Sequence, residues 1–144
     1  MDPPPEGAAS LGVADPAPIQ LPDGKWLMAL KSFIAPWQGE FGPGGLPMGL
    51  WTHAVGSATS EDGLNWVREE GVRIAAASVP AAIADGDERV LLYYVQPSAE
   101  PGKPETVACA VSTDGFIFRP EPSFGIEGLS ALKAVDPSIV RDEE

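Results

Sequence analysis

One cysteine, one histidine and nine basic residues stand in a chain of 144, and each scarcity removes a class of function. Cys109 on its own closes no intrachain disulfide and builds no cysteine-cluster zinc site; a small buried hydrophobe is the ordinary fate of such a thiol. His53 on its own removes every multi-histidine metal centre and leaves room for at most one Ser-His-Asp arrangement. No metal and no cofactor are expected. Nine Lys and Arg against 21 Asp and Glu give a net charge of −12, so nucleic acid and anionic membrane surfaces, which require clustered cations, are not expected partners. No run of about 18 apolar residues is present to cross a membrane as a helix. Met1 to Leu11 carries Asp2, Glu6 and three successive prolines without a basic stretch, and reads as a disordered lead-in to a soluble chain, not as a secretory signal.

What the chain has in excess is punctuation: 16 Gly and 16 Pro, alongside 44% hydrophobic residues, enough for a packed core. Much of that punctuation repeats. A shift of 64 residues lays Pro16-Ala17-Pro18-Ile19 on Pro80-Ala81-Ala82-Ile83, and Asp23 to Met28 on Asp87 to Leu92. A shift of 52 lays Val55 to Trp66 on Val107 to Phe118, matching Ser60-Glu61-Asp62-Gly63 with Ser112-Thr113-Asp114-Gly115. An insertion in the first copy, Ala35 to Met48, rich in Gly and Pro, explains the difference between the shifts. A third copy opens at Asp136-Pro137-Ser138-Ile139-Val140.

Within a copy the pattern is β. Trp26 to Ile34 and Arg89 to Val95 are short apolar runs that follow Asp-containing turns, as inner strands of a small antiparallel sheet do. His53 to Ser60 and Thr106 to Ser112 read as third strands. Each ends in Ser-x-Asp-Gly, where Gly takes positive φ and Asp bonds the turn backbone, so fourth strands are expected at Leu64 to Val67 and Phe116 to Phe118. No helix is expected, because Pro80 interrupts the Ala-rich stretch Ala75 to Ala84. The reading is all-β: two four-stranded antiparallel β-propeller blades plus the first strand of a third, an incomplete propeller. Its boundaries are a lead-in at 1–11, a partial propeller at 12–144, and blades at about 15–78, 79–135 and 136–144. Closure needs about four blades or more, so a fragment is expected, with open sheet edges that invite self-association.

Asp15-Pro16, then Val79-Pro80-Ala81-Ala82-Ile83 ahead of Leu91-Leu92-Tyr93-Tyr94, then Ala134-Val135-Asp136-Pro137-Ser138-Ile139-Val140 together resemble the five-bladed propeller glycosidases, glycoside hydrolase family 43 and the family 32-like fructan-cleaving enzymes. The turn Ser60 to Trp66 after Trp51-Thr52-His53-Ala54 is similar to theirs as well. The resemblance implies hydrolysis of O-glycosidic bonds in an oligo- or polysaccharide. It makes Asp15 the carboxylate that activates water or attacks as nucleophile, and Asp136 the auxiliary carboxylate that orients the sugar and adjusts the acid's pKa. The family's general acid is a Glu of a later blade; Glu127-Gly128 precedes Asp136 and lacks the family's following proline. Read without the resemblance, an Asp ahead of Pro is equally a strand-start or turn residue.

Other candidates divide between ligand and scaffold. Trp37, in the Gly- and Pro-rich insertion, suits stacking on a sugar face, whereas Trp26, Trp51 and Trp66 lie in strand patterns and read as core. His53 reads either as a hydrogen-bonded strand residue or as a substrate contact. The Ser-x-Asp-Gly turns lack the residue that sialidase Asp-boxes carry between Asp and Gly, so they read as structural, with Trp66 and Phe118 packing between blades. Two functions remain: a glycosidase fragment lacking its general acid, or a noncatalytic carbohydrate-binding or protein-interaction propeller.

Overall fold

The computed structural model describes residues 10–34, 40–41, 47–48, 52–86, 88–96, 104–128, 136–140 and 142. Every regular element among them is a β-strand. The first sheet is built from β1 (Ser10–Gln20), β2 (Trp26–Ile34), β5 (Thr52–Ser60) and β6 (Val67–Arg68) in that order, all antiparallel, with β7 (Ile74–Ala75) as a further partner of β5. The second runs β8 (Ser78–Asp85), β9 (Arg89–Gln96), β10 (Thr106–Ser112), β11 (Arg119–Pro120). Inside the insertion β3 (Glu40–Phe41) pairs with β4 (Pro47–Met48). These are two propeller blades. Ser10 and Leu11 belong to β1, while residues 1–9 of the expected lead-in lie outside the described residues. The stretch 136–140 that opens the third copy carries no regular secondary structure and has no strand partner among the described residues.

The sequence repeat is a repeat of hydrogen bonds. Ser60 Oγ accepts from the Gly63 N–H at 2.9 Å, and Asp62 Oδ1 accepts from the Leu64 and Asn65 N–H groups at 2.9 and 2.8 Å. Ser112 and Asp114 do the same for Gly115, Phe116 and Ile117 at 2.9, 2.8 and 2.8 Å. Gly63 and Gly115 sit at φ +73° and +74°, a conformation that glycine adopts without steric cost. Hydrogen bonds from the Asn65 backbone, then its side chain, then the Leu64 N–H and the Ser60 hydroxyl, hold the Asp62 carboxyl well below the usual carboxylate range. Because this network holds the chain through Asn65 and Ile117, the fourth strands start later than expected, at Val67 and Arg119.

The blades are joined by apolar packing. Ala29 and Val55 of the first meet Ala77, Leu92, Tyr94 and Ala110, with Phe118 packed against the cluster as expected. β8 lies against β1, β2 and β5. Residues two apart on a strand share a face, so Lys31 and His53, in step with Ala29 and Val55, share the face of the first blade that carries its side of this core. Trp66 is half-buried and its indole N–H donates to the Gly63 carbonyl at 3.1 Å, so its described bond is within its own turn.

Candidate functional site

A proline has no N–H to give a neighbouring strand, and sheets accommodate it on edge strands and at bulges. Ala14 pairs with Lys31 and Ala17 with Ala29, so Asp15 and Pro16 together face Leu30. In the second blade Ser78 pairs with Val95 and Ala81 with Tyr93, so Val79 and Pro80 together face Tyr94. The two bulges are equivalent residue for residue under the shift of 64. Asp15 (φ 50°), Val79 (φ 48°) and Asp136 (φ 56°) all occupy the left-handed region. That conformation is a property of the blade start and not of the acid. For a β-branched valine it costs about 1–3 kcal/mol.

The side chains on this frame differ between blades. Lys31 Nζ lies 3.6 Å from Asp15 Oδ2, with the lysine only 18% exposed and the aspartate 39% exposed. An ion pair of that exposure contributes about 1 kcal/mol or less to stability, so its consequence is positional: it fixes where the carboxylate sits. The equivalents in the second blade are Val79 and Val95. His53 joins the first-blade group. It is half-buried, and that burial, followed by the charge of Lys31, holds its imidazole below the ordinary 6.5, while Glu105 and Asp15 pull upward. Glu105 belongs to the second blade and is the counterpart of His53 under the shift of 52. The charges that act on His53 thus come from both sides of the blade boundary: Lys31 and Asp15 from the first blade, Glu105 from the second.

Of the residues singled out in the sequence, Asp15 and His53 come together. Asp136 is exposed and shares no ion pair or hydrogen bond with them among the described residues. Trp37 and Trp51 lie outside the described residues. Lys31 and Glu105 were missed. The signal for Lys31 was its position: it breaks an apolar strand where its counterpart is Val95. Cys109 is buried; burial first, and then the charge of Glu121, pushes its thiol up despite a hydrogen bond with Tyr93. Among the described residues no group of three or more His, Cys, Asp or Glu is arranged to hold a metal ion.

No family model and no curated protein matches the chain. Solved structures do. A protein described as a candidate glycoside hydrolase from Parabacteroides distasonis aligns with a TM-score of 0.59 at 21% identity, over 78% of this chain and 32% of its own. A glycosyl hydrolase from Bacteroides ovatus aligns with 0.56 at 18% identity, over 75% and 30%. A structure from the GH130 family of mannoside phosphorylases, which contains glycoside hydrolases that target β-1,2 mannosidic linkages in Candida mannan, aligns with 0.59 at 17% identity, over 89% and 43%. The fold is therefore that of glycosidase propellers, and the chain spans between 30% and 43% of the length of these three structures.

Proposed function

We propose that the chain is a carbohydrate-active, glycoside hydrolase-type unit whose working carboxylate is Asp15. One observation carries this reading: on two otherwise equivalent bulges, only the first presents a carboxylate held by a half-buried lysine, and it does so in a fold shared with glycosidase structures. Glycoside cleavage needs an ionised carboxylate to activate water or attack the sugar, and a protonated group for the leaving oxygen. Asp15 takes the first role, with Lys31 fixing its position and His53 beside it as a substrate contact. Asp136 and Trp37 are proposed as the auxiliary carboxylate and the stacking ring. No residue of the chain is assigned to leaving-group protonation, so ordinary alkyl glycosides are expected to survive, since loss of an acid costs about two to four orders of magnitude in rate.

The experiment is titration of the 144-residue chain with fructo-oligosaccharides, plant xylo-oligosaccharides and β-1,2-linked mannosides, together with turnover of dinitrophenyl glycosides, whose leaving group needs no acid. Saturable binding and slow turnover, both lost in Asp15→Asn, are expected. Absence of binding, or binding indifferent to Asp15, overturns the reading. The second reading, a noncatalytic binding propeller, draws on the same ion pair, since Lys31 already neutralises Asp15. Binding that needs Asp15, without turnover of the activated substrate, selects it.

A further inference from the structure

We propose that the outer edge of β10 is a docking groove for an extended, arginine-bearing peptide that adds to the sheet as a strand. The first blade shows the filled form of the same edge. There β7 pairs Ala75 and Ile74 with Ala54 and Val55 of β5. Arg73 secures it: its N–H donates to the Val55 carbonyl at 2.7 Å, its Nε to Ser57 Oγ at 2.8 Å, and its guanidinium NH2 to the Glu70 carbonyl at 2.9 Å.

Under the shift of 52, Ser57 becomes Cys109, Arg73 becomes Gly125 and Ile74 becomes Ile126. The edge follows the first blade as far as the Glu121 N–H, which donates to the Cys109 carbonyl at 2.9 Å as Glu69 does to Ser57. Past that point the arginine and its hydroxyl partner are both missing. No strand pairs with the outer edge of β10 at Thr106 and Val107 among the described residues. Instead a cavity of about 700 Å³ opens between Thr106–Cys109 and Phe124–Gly128, within the size range of ligand pockets. Ile126 is left 43% exposed.

The groove offers what strand addition requires: an edge that pairs with no strand among the described residues, for main-chain hydrogen bonds, and an apolar floor for alternate side chains. Among the described residues its charged lining side chains are Glu121 and Glu127, both acidic, which favours a cationic side chain at the place Arg73 occupies in the first blade.

The probe is the blocked peptide Gly-Val-Arg-Ile-Ala-Ala, residues 71–76 of the chain itself, titrated into the 144-residue protein and followed by backbone amide NMR. Saturable shifts at Thr106–Cys109 are expected, with Val55 unperturbed. A peptide carrying Glu in place of Arg is expected to bind about tenfold more weakly or worse, and Glu121→Lys to weaken the parent peptide similarly. The double variant Cys109→Ser, Gly125→Arg is expected to close the groove with the chain's own strand and abolish binding. No binding, equal binding of both peptides, or Val107 exchange as slow as Val55 exchange in the free protein, which means that the chain already fills its own edge, each overturns the proposal.

Discussion

Across the bulge of the first blade the facing pair is Asp15 and Lys31; across the same bulge of the second it is Val79 and Val95. At the outer edge the first blade has Arg73 on Ser57, and the second has Gly125 beside Cys109. Both differences are exchanges of polar partners for small or apolar ones; at the bulge the backbone is unchanged, whereas at the outer edge β7 of the first blade has no paired counterpart among the described residues. They show that the blade is held by its turns, its bulge and its shared core, and that the pairs hung on it are free to specialise. The first blade places polar pairs at its bulge and at its sealed edge, while the second brings the charge of Glu105 to bear on His53 and, among the described residues, pairs no strand with the matching edge.

The comparison can be broken at the core first. Leu92 is fully buried at the blade junction, so Leu92→Ala is expected to cost about 2–5 kcal/mol in denaturant unfolding; Met28, its half-buried first-blade counterpart, is expected to cost clearly less when replaced by Ala. Equal losses would mean that the junction does not dominate stability. Next come the turns. A Cβ at Gly115 would stand 3.1 Å from Leu27 Cδ2, a buried side chain of the other blade, whereas at Gly63 it would meet the half-buried Trp26 ring at 3.1 Å. Both substitutions to Ala carry the left-handed backbone penalty of about 1–2 kcal/mol, and Gly115→Ala is expected to be the worse of the two in melting temperature.

The bulges sharpen the contrast further. Val79→Gly is expected to gain on Val79→Ala by about 1 kcal/mol, because only glycine is at ease at φ 48°. At Asp15 the same pair of substitutions should differ by a similar amount, while aspartate itself tolerates the conformation better than valine does. Thermal unfolding of the four variants measures both. The smallest effect is at His53, whose lone imidazole is a clean NMR reporter. Its titration is expected below 6.5, moving up in Lys31→Met and down further in Glu105→Gln. Since the folded value is the lower one, the unfolded chain takes up a proton first as pH falls. The stability contributed by neutral His53 is therefore complete above 6.5 and declines as pH drops below it. Titration unmoved by Glu105→Gln would separate the blades electrostatically.

The strands at Trp26–Ile34 and Thr106–Ser112 and the two turns were legible, because repetition doubled each local signal. The bulge was only partly legible, since sheets take proline on edge strands as well as at bulges and Pro18 of β1 keeps regular register with Met28; its positive φ at Val79 runs against the side chain and could not be read from residue type. Lys31 stayed hidden because a one-residue change of register would put it elsewhere; only the pairing with Ala14 brings it to Asp15. β7 stayed hidden because two residues carry no periodicity and the strand depends on Arg73 reaching Ser57, which is sixteen positions away. Asp136 was legible as a third copy of the blade start, and the structure repeats its backbone angle without joining it to the Asp15 group among the described residues.

The bulge has a consequence for how such a protein changes over generations. Its backbone conformation is the same whether Asp or Val precedes the proline, so the chain has no need to refold when one replaces the other. Aspartate and valine codons differ at a single base. A blade can therefore acquire or surrender its carboxylate in one mutational step, with the strand ladder, the turns and the neighbouring blade left in place.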